Sequence, residues 1–587
     1  MRLTLPLIVA RLRATPKTGA LASGVARQPW FGASLVLATA LALYLPALGR
    51  RDLWSSHEAR AAQNARSILE DGQWLLPRLL DGQPEMQKPP LYYWLVALVT
   101  WPFGRITSWS VRLPAAIAGA ATVWLLYRTL ARAGLRGVGT CAAIILATLT
   151  HFAWLARVGR IDMPLAFCVT AALCALQQND RPIAGSSAVH GCRAWRRIGI
   201  AWAFACISCG VLLKGPVAVV LVIVVRATWY LVRAVLWLRM PGEAPSTWAG
   251  AGTPASRSAD RRQAQGRWSA LVGDAQRRLL DWGVGLGVVA LIAGPWYGAA
   301  HRLTQGEFTR LFLVRHTWQR ALGGDDLWDA QIFPWWLYLA RLPGDLFPWS
   351  VWLVALGIFY LVRLLRHPGA FSRAHASPGE ADHRPSDPSL WQAYGATWFV
   401  SLLAFLSSLQ FKRADYLLPA YPGLALALAG GVVAWHGQAG SRGKKLLALA
   451  WGATYGASLA GWAIYLTTIE PVLDRVRQQS TFARQVRRHA TPADWLVLFR
   501  LESHSLTWHL GKPFVKVVEW ENLDVWASQP ARVYVVLRER DARNWRRHLA
   551  AGNLYFVCSN YNENAGGHEE PLELWCNRPP KDVHGHH

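Results

Sequence analysis

Residues 216–237 read PVAVVLVIVVRATWYLVRAVLW, and Arg226 and Arg233 are the only charged residues among them. A helix needs about 20 predominantly apolar residues to cross a bilayer, so this run predicts a membrane span. Working outward, the same criterion predicts a mainly α polytopic membrane fold, with about eleven clear spans and about 11 to 13 transmembrane helices in all. The clear spans lie near 30–48, 111–129, 139–156, 163–177, 198–213, 216–237, 281–299, 346–364, 392–409, 416–435 and 447–468.

The composition agrees with a membrane protein. Of the 587 residues, 52% are hydrophobic and 33 are tryptophan. The 62 lysines and arginines outnumber the 35 aspartates and glutamates, but the basic segments lie between alternate spans, as expected of cytoplasmic loops. These segments are 128–137, 181–197, 239–278, 362–374 and 435–445. The sequence contains no basic helix interleaved with stacking aromatic residues, which argues against nucleic-acid binding.

The charge pattern also orients the chain. We expect a bacterial inner-membrane protein with a cytoplasmic N-terminus and an uncleaved first span. Leu91–Phe103 offers only roughly 20 Å of helix against a hydrocarbon core of roughly 30 Å, so we predict an interfacial helix there. The cytoplasmic loops 239–280 and 365–390 are predicted to be loosely ordered connectors. The segments expected outside the cytoplasm are 50–110, 157–162, the turn at Lys214, 300–345, 411–415 and everything after about 470.

After Glu470 the hydropathy falls and an α/β pattern begins. It predicts helices at 471–490 and 544–550, and strands at 495–499, 514–518, 533–537 and 555–558. We therefore predict a transmembrane domain over 1–469, which includes the extracytoplasmic juxtamembrane loop 50–110, and a small periplasmic α/β domain over 470–587. Cys558 and Cys576 lie in that second domain, where disulfides persist, and we predict that they pair.

The first external loop carries polar residues that could handle a phosphate and a proton. His57, Glu58 and Arg60 lie within four residues at the start of a predicted helix, which sets a titratable pair beside a cation. The same residues also fit a helix cap, in which Ser55 or Ser56 is the capping residue and Glu58 meets the helix dipole. Spacing alone favours the cap.

Lys88 stands shortly before the predicted interfacial helix, where Pro89 and Pro90 stiffen the entry. A lysine held there can reach a lipid phosphate, and Tyr92 in the next turn is a further candidate for substrate binding. An ordinary interfacial anchor within an aromatic belt explains the same stretch.

Further charged residues interrupt the apolar regions. Asp162, close to Arg160 at a membrane boundary, is costly there unless it is paired or used, and a structural ion pair explains it about as well as a function. The outer mouth of the bundle carries Lys214, Lys412, Arg413 and Tyr416. The cations there could hold an anionic headgroup or could anchor loops. Because these charges and those of the first loop fall on one predicted face of the membrane, we favour a binding site.

These stretches form an ordered set over roughly 30–435. In the first half they are Leu53-Trp54, Glu58-Ala59-Arg60, Gly72…Trp74…Pro77, Lys88-Pro89-Pro90-Leu91, Tyr93-Trp94, Val111-Arg112-Leu113-Pro114 and Arg160-Ile161-Asp162-Met163-Pro164-Leu165. Later come Leu213-Lys214-Gly215-Pro216, Gly294-Pro295-Trp296-Tyr297, Phe347-Pro348-Trp349 and Ser408…Lys412…Tyr416-Leu417-Leu418-Pro419. The set resembles the aminoarabinose-transferase branch of the protein O-mannosyltransferase-like superfamily.

The resemblance implies a GT-C fold, an extracytoplasmic active site, a C-terminal periplasmic domain and a polyprenyl-phosphate sugar donor. The family's residues are matched by Glu58 and Arg60 in its first-loop motif, Lys88 as its phosphate-facing lysine, Asp162 as its second-loop aspartate, and Lys412 and Arg413 at its basic headgroup contacts.

The first loop departs from the family pattern, which usually reads Asp-Glu where this chain has His57-Glu58. The usual catalytic aspartate is missing, so Glu58 or His57 takes over as base, the register shifts to Asp52, or the acceptor needs less activation. Gln87 stands where a glutamate often precedes the lysine, and this weakens the transfer of a metal site. We expect no obligatory metal or other cofactor, since nothing in these residues supports a divalent cation.

The reading favoured here is inverting glycosyl transfer, in which an acceptor attacks the anomeric carbon and the polyprenyl phosphate leaves. The leaving charge would be stabilised by Lys88, Arg60 and Lys412. His57 or Glu58 would accept the proton, with Asp162 orienting the substrate or the base. The expected partners are the lipid-linked donor, the membrane, and a lipid or glycan acceptor such as lipid A or a polysaccharide. We expect a monomer.

Two other readings stay open. A transporter or flippase for a lipid-linked sugar also needs many spans, but would more often place ionisable residues near the bilayer midplane in broken helices. A degenerate, non-catalytic scaffold would explain the missing aspartate. In the C-terminal domain, Glu502, His504 and His509 could shape acceptor choice, although a role in the fold explains them better.

Overall fold

The computed structural model describes residues 29–180, 191–238, 254–319, 333–366, 387–501, 503–511, 513–560 and 571–579. The chain divides into two compact units. The first unit comprises Met1–Tyr44, Ala118–Ala156 and Asp162–Leu459, and the second comprises Leu45–Ile117, Arg157–Ile161 and Ala460–His587. The juxtamembrane loop 50–110, which we had assigned to the transmembrane domain, therefore packs in one unit with the C-terminal segment.

Helices dominate the described chain. In order they are α1 (Pro29–Tyr44), α2 (Ser56–Asp71), α3 (Leu91–Thr100), α4 (Ser108–Arg132), α5 (Arg136–Thr148), α6 (Thr150–Ala156), α7 (Asp162–Asn179), α8 (Gly191–Lys214), α9 (Val217–Leu238) and α10 (Pro254–Leu303). They continue with α11 (Leu337–Asp345), α12 (Ser350–Arg366), α13 (Pro388–Ser408), α14 (Tyr421–Gln438), α15 (Ser441–Ile464), α16 (Glu470–Arg477), α17 (Ser480–His489), α18 (His504–Leu510), α19 (Trp520–Ala527) and α20 (Glu539–Ala542). A 3₁₀ segment, Ala414–Ala420, leads into α14.

Each of the eleven predicted spans lies on a helix. By length and composition, five helices of the described chain are long and apolar enough to cross a membrane, namely those at Ser108–Arg132, Arg197–Lys214, Val217–Val235, Ala275–Leu303 and Ala414–Gln438. The count reaches seven if each of two bent helix pairs is one span. The other four predicted spans fall on α1, α7, α13 and α15, which are shorter or less apolar.

The two bent pairs contact one another within the first unit. Helices α5 and α6 meet at 70° and helices α11 and α12 at 109°. At the first break Thr148 Oγ1 accepts a hydrogen bond from Trp349 Nε1 at 2.8 Å, and Thr150 Oγ1 donates to the carbonyl of Phe347 at 2.7 Å. The Thr150 hydroxyl thus satisfies a backbone carbonyl at the break between α11 and α12, and the Thr148 hydroxyl pairs the buried indole N–H of Trp349.

One predicted connector is partly helical. Helix α10 begins at Pro254, so residues 254–280 of the expected loosely ordered loop 239–280 continue directly into the predicted span at 281–299. The prediction was wrong there because this stretch is rich in Ala, Arg, Gln and Leu, all good helix formers. Residues 239–253, and most of the second predicted connector at 365–390, lie outside the described residues.

Short elements of the second unit surround a five-stranded sheet. The strands are β1 (Trp495–Phe499), β2 (Val515–Val517), β3 (Val533–Arg538), β4 (Tyr555–Ser559) and β5 (Leu572–Cys576), in the order β2-β1-β3-β5-β4. The central pair, β1 and β3, runs parallel and is almost wholly apolar, because both faces are covered. The helix predicted from Leu91 is present as α3 and a 3₁₀ turn at Trp101–Phe103, and its interfacial position stays a prediction.

Several details of the C-terminal prediction were wrong. The single helix at 471–490 is two helices, α16 and α17, because Gln478 is extended and the backbone N–H of Gln479 donates to Asp52 Oδ2 at 3.2 Å. The helix at 544–550 is only a 3₁₀ turn at Trp545–Arg547. Sequence reasoning missed α18, α19 and β5. Strand β5 becomes recognisable only through its antiparallel pairing with β3 and β4.

The predicted disulfide between Cys558 and Cys576 is also wrong. Both residues lie on neighbouring antiparallel strands, but Cys576 is opposite Tyr555 while Cys558 is opposite Leu574. A disulfide needs the two Cβ atoms close and facing one another, and this register does not bring them together.

We therefore expect both thiols to be alkylated when the protein is unfolded without a reductant and treated with iodoacetamide. Peptide mass spectrometry measures the modification at each position. A disulfide-linked peptide containing Cys558 and Cys576 would contradict the register of β4 and β5.

Candidate functional site

The His57–Glu58 segment lies at the start of α2 in the second unit. Ser55 is the capping residue, and its hydroxyl accepts a hydrogen bond from the backbone N–H of His57 at 3.3 Å. Glu58 follows in the first turn, where a negative charge is favoured by the helix dipole. The helix cap that the sequence offered as the alternative to a functional role is therefore present. The side chain of His57 is partly exposed, whereas Glu58 is fully buried.

Both carboxylate oxygens of Glu58 are occupied by arginines. Arg112 donates from Nε to Oε1 at 2.7 Å and from Nη2 to Oε2 at 3.2 Å, and Arg51 donates from Nη1 and Nη2 at 3.0 and 3.1 Å. The backbone N–H of Gly159 adds a fifth hydrogen bond at 2.9 Å. Burial by itself would raise the pKa of Glu58, but the two arginines outweigh it and hold the pKa well below its usual range. Glu58 is a permanently charged structural anion.

The same ion cluster continues to a second glutamate. Arg51 Nε lies 3.4 Å from Glu470 Oε1, and Arg157 Nη2 lies 3.4 Å from Glu470 Oε2. Arg112 also donates to the carbonyls of Leu48, Arg51 and Asp52. Three arginines and two glutamates thus join segments that are far apart in the sequence. Sequence reasoning gave none of these three arginines a role in the site, although Arg112 stands in the Val-Arg-Leu-Pro motif.

Arg60 belongs to a neighbouring polar cluster of the second unit. Its Nε lies 3.6 Å from Glu85 Oε2, it donates to Gln87 Oε1, and its Nη2 is 2.9 Å from His504 Nε2. His504 is buried, and its pKa is lowered to about 4 by burial and by the nearby charges of Arg60 and Lys516. Its ring is therefore neutral near pH 7, which suits the fold role favoured from the sequence. Glu502 lies outside the described residues.

The other predicted site residues of the second unit differ in their exposure. Lys88 is partly buried three residues before α3. Tyr92 is fully buried and its hydroxyl donates to the carbonyl of Val111 at 2.8 Å, which gives Tyr92 a structural role between α3 and α4. Arg160 is buried as well.

Asp52, the alternative base considered from the sequence, is bound within the second unit. Its carboxylate accepts hydrogen bonds from the backbone N–H groups of Leu53 and Gln479, and Oδ1 lies 2.6 Å from His509 Nε2. The hydrogen bond and charge of His509 help to lower the pKa of Asp52, against the effect of its burial. These contacts leave Asp52 poorly suited to collect a proton from an acceptor.

Three predicted site residues meet in the first unit. Asp162, the first residue of α7, lies 2.5 Å from the ammonium of Lys214, the last residue of α8. The same ammonium lies 4.1 Å from the ring centroid of Tyr416, in the 3₁₀ segment before α14. A carboxylate and an aromatic face therefore hold one cation where three elements end or begin.

Lys412 is placed differently from Lys214. Its side chain is buried, and its ammonium donates to the backbone carbonyls of Phe333, at 3.1 Å, and Leu409. Within the described ranges, no carboxylate lies within 4.0 Å of it. Burial lowers the pKa of Lys412. A buried cation bonded only to neutral carbonyls is costly, and an anion bound beside it would relieve that cost.

The predicted residues thus fall into two groups, one in each unit. His57, Glu58, Arg60, Lys88, Tyr92 and Arg160 belong to the second unit, and Asp162, Lys214, Lys412, Arg413 and Tyr416 to the first. Arg413 Nε lies 3.7 Å from Asp415 Oδ2, so this cation is paired.

The described part of the chain holds no group of three or more His, Cys, Asp or Glu side chains arranged for a metal ion.

The sequence of the chain is similar to the sequences of known membrane transferases. Residues 31–249 match the family described as dolichyl-phosphate-mannose-protein mannosyltransferase. The chain is 25% identical over 431 residues to undecaprenyl phosphate-alpha-4-amino-4-deoxy-L-arabinose arabinosyl transferase 1 of Pseudomonas fluorescens (strain Pf0-1), covering 72% of this chain and 61% of that relative. It is 28% identical over 453 residues to the corresponding transferase of Pseudomonas paraeruginosa, covering 76% of this chain and 67% of the relative. The chain thus spans about three fifths to two thirds of the length of these relatives.

A solved structure extends the likeness to the fold. The crystal structure of ArnT from Cupriavidus metallidurans bound to undecaprenyl phosphate matches with a TM-score of 0.63 at 16% identity, over 95% of this chain and 99% of that chain. The apo form of the same protein matches with a TM-score of 0.62. These comparisons confirm the predicted GT-C fold and the predicted resemblance, and they identify the chain as a multi-pass membrane protein.

Replacing Glu58 tests its structural role. Glu58→Gln should lower the free energy of unfolding by about 3–5 kcal/mol, because it leaves Arg51 and Arg112 buried without their counter-charge. Glu70→Gln in the same helix removes only the exposed pair with Arg66 and should cost no more than about 1 kcal/mol. Thermal unfolding of the purified protein in detergent compares the two variants. Equal stability of both would contradict the structural role of Glu58.

His504 should make the protein less stable in mild acid. Its pKa of about 4 in the folded protein lies below the value of about 6.5 of a histidine in an unfolded chain. The unfolded state therefore binds more protons between these values, and stability falls as the pH is lowered through that window. The midpoint of thermal unfolding should drop between pH 7 and pH 5 by more in the wild type than in His504→Gln. An identical drop in both proteins would count against this assignment.

Proposed function

Since the chain resembles the aminoarabinose-transferase-like GT-C glycosyltransferases in sequence and in fold, we propose that it is an integral membrane glycosyltransferase. It transfers a sugar from a polyprenyl-phosphate-linked donor to an acceptor outside the cytoplasm. The acceptor is a lipid or glycan, such as lipid A or a polysaccharide. The enzyme works as a monomer in a bacterial inner membrane, with the N-terminus cytoplasmic and the C-terminal segment periplasmic, and it has no obligatory metal.

The observation that supports a lipid-phosphate substrate most directly is the environment of Lys412. This buried ammonium is bonded to two backbone carbonyls, and no carboxylate in the described ranges balances its charge. A phosphate would supply both the missing negative charge and strong hydrogen-bond acceptors. We assign Lys412 to the donor phosphate. In the same unit, Asp162 positions Lys214, whose ammonium remains a second candidate contact.

The reaction is an inverting displacement. A nucleophilic oxygen of the acceptor attacks the anomeric carbon, the bond from that carbon to the phosphate oxygen breaks, and the polyprenyl phosphate leaves with the electron pair. The cations lower the barrier by stabilising the charge that develops on the leaving group. The acceptor's proton must pass to a base, and we assign this role to His57.

His57 is a better candidate than its neighbour for a physical reason. Glu58 is held by Arg51 and Arg112, and its low pKa makes it a weak base. The imidazole of His57 is partly exposed, and histidine is the side chain most often used for proton transfer near neutral pH. This assignment also explains how a chain without the family's usual aspartate could remain active.

A transporter for a lipid-linked sugar remains the alternative function, because two bent helix pairs contact one another in the first unit. Purified protein in liposomes separates the two functions. A transferase converts undecaprenyl-phosphate-linked 4-amino-4-deoxy-arabinose to free undecaprenyl phosphate and a glycosylated acceptor. Movement of the labelled lipid between leaflets without any sugar transfer would favour the transporter.

Lys412→Ala should reduce the rate of transfer by about a hundredfold or more, as is typical when one electrostatic contact to a developing charge is removed. Lys445→Ala is the matched control, since that lysine is exposed and lies in the predicted cytoplasmic segment. Initial rates in membranes carrying each full-length variant, followed by mass spectrometry of the lipids, provide the measurement. Full activity of Lys412→Ala would remove Lys412 from the donor site.

A further inference from the structure

A cluster of arginines in the first unit lies at the opposite end of helix α7 from the proposed donor site. Asp162, which holds Lys214, is the first residue of α7, and Asp180 directly follows its last residue, Asn179. The 18 residues of this helix separate its two ends by roughly 27 Å. The segment that follows Asp180 is predicted to be cytoplasmic, so we expect the cluster at the cytoplasmic end of the bundle.

Asp180 is surrounded by three arginines from two other helices. Arg226 Nη2, from α9, donates a hydrogen bond to Asp180 Oδ2. Arg278 Nη1, from α10, lies 2.5 Å from Asp180 Oδ1. Arg233 Nη1, also from α9, lies 3.9 Å from Asp180 Oδ2. One carboxylate thus joins the ends of three helices and holds three positive charges close together.

The three arginines differ in how completely their donors are used. The Arg226 side chain is only 1% exposed, and it donates from Nε to the Tyr230 hydroxyl at 3.2 Å and from Nη1 to Gln177 Oε1 at 2.9 Å. The Arg278 guanidinium lies over the Tyr230 ring, 4.2 Å from its centroid, and its side chain is 17% exposed. Arg233 is 26% exposed, and its 3.9 Å contact with the carboxylate is too long for a hydrogen bond. Arg226 is therefore structural, whereas Arg233 can donate to a ligand.

The positive charge of this cluster exceeds its negative charge. Asp281 lines the cleft beside Arg278. Counting both aspartates against the three arginines still leaves one positive charge among the described residues of the cluster. Arg226 and Arg233 stand within the predicted span 216–237, where a charge is costly unless it is paired or used. An anion bound at Arg233 would balance the excess charge and accept its hydrogen bonds.

The surroundings of the cluster favour a lipid over a soluble anion. The walls of the cleft beside Asp180 include the apolar side chains of Leu176, Ile200, Phe204 and Trp282. Large apolar side chains close in sequence to the two accessible arginines are 63% to 71% exposed, namely those of Leu231, Leu279 and Leu280. Such surfaces suit acyl chains, while the arginines suit a phosphate at the edge of the hydrocarbon core. Basic pockets between transmembrane helices on the cytoplasmic side are known to bind anionic headgroups.

We propose that Arg233 and Arg278 bind the phosphate of an anionic phospholipid, such as phosphatidylglycerol, at the end of α7 opposite the proposed donor site. Asp180 positions both guanidinium groups, and Arg226 fixes Asp180. The acyl chains lie along the apolar surfaces of α8, α9 and α10. The lipid is a bound ligand rather than a substrate, and the inference does not depend on sugar transfer.

Native mass spectrometry of the full-length protein in a non-ionic detergent measures lipid binding directly. Dioleoyl phosphatidylglycerol is titrated against the wild type, and dioleoyl phosphatidylcholine, which has the same acyl chains but no net charge, serves as the reference lipid. The wild type should bind phosphatidylglycerol more tightly than phosphatidylcholine. Arg233→Gln should weaken the binding of phosphatidylglycerol about tenfold or more, a typical effect of removing a hydrogen bond to a charged group.

Arg363→Gln is the matched control. Arg363 is a partly buried arginine of α12 in another predicted cytoplasmic segment, so this variant removes the same charge outside the cluster. It should bind phosphatidylglycerol as the wild type does. Thermal unfolding provides a second readout, since bound lipid should raise the unfolding midpoint of the wild type and of Arg363→Gln by more than that of Arg233→Gln.

If Arg233→Gln does not give a monodisperse protein, Arg233→Lys replaces it. This variant keeps the charge but loses the planar pair of donors that matches a phosphate, so it should also bind phosphatidylglycerol more weakly than the wild type. Excess inorganic phosphate in the same titration distinguishes a lipid from a free anion. A lipid site keeps its phosphatidylglycerol, because the acyl chains contribute to binding.

Each outcome decides the inference. Binding lost in Arg233→Gln, kept in Arg363→Gln and resistant to inorganic phosphate supports it. Equal binding by the wild type and Arg233→Gln, or no preference of the wild type for phosphatidylglycerol, would overturn it. Displacement of the lipid by inorganic phosphate would assign the cluster to a free anion instead. None of these results bears on Lys412, so the proposed function is tested separately.

Discussion

The ion cluster around Glu58 is the interaction on which the second unit depends. One buried carboxylate accepts hydrogen bonds from Arg51, Arg112 and the backbone of Gly159, and Arg51 and Arg157 reach on to Glu470. These residues come from four segments that are far apart in the chain. An unpaired charge at this depth would cost several kcal/mol. Displacing any one of these segments would therefore destabilise the others as well.

The two units use charge in different ways. In the second unit the buried carboxylates are paired, with Arg51 and Arg112 bound to Glu58, Arg51 and Arg157 close to Glu470, and His509 close to Asp52. In the first unit Asp162 holds Lys214, but Lys412 has only neutral carbonyl partners among the described residues. Matched charges stabilise a fold, while an unmatched buried cation is a place for an anionic ligand. This difference is the reason for assigning structure to Glu58 and ligand binding to Lys412.

The missing family aspartate has a consistent explanation within this arrangement. The glutamate next to it is too firmly paired to exchange protons, so within these two positions the base that we propose is His57. Histidine keeps the capacity to accept a proton while removing a negative charge from the start of α2.

The ordered motifs of the sequence carried the family resemblance. The sequence by itself also determined the membrane class, the helices that carry the eleven predicted spans, the helix at Leu91 and four of the five strands. These follow from local periodicity and run length, which depend on neighbouring residues alone. Only the tertiary structure decided what each charged residue does. Glu58 and Lys412 both appeared as candidates beside an apolar run, yet Arg51 and Arg112 neutralise the first and backbone carbonyls surround the second. The break at Gln478 likewise depends on a contact with Asp52, and no local pattern encodes a partner that lies hundreds of residues away.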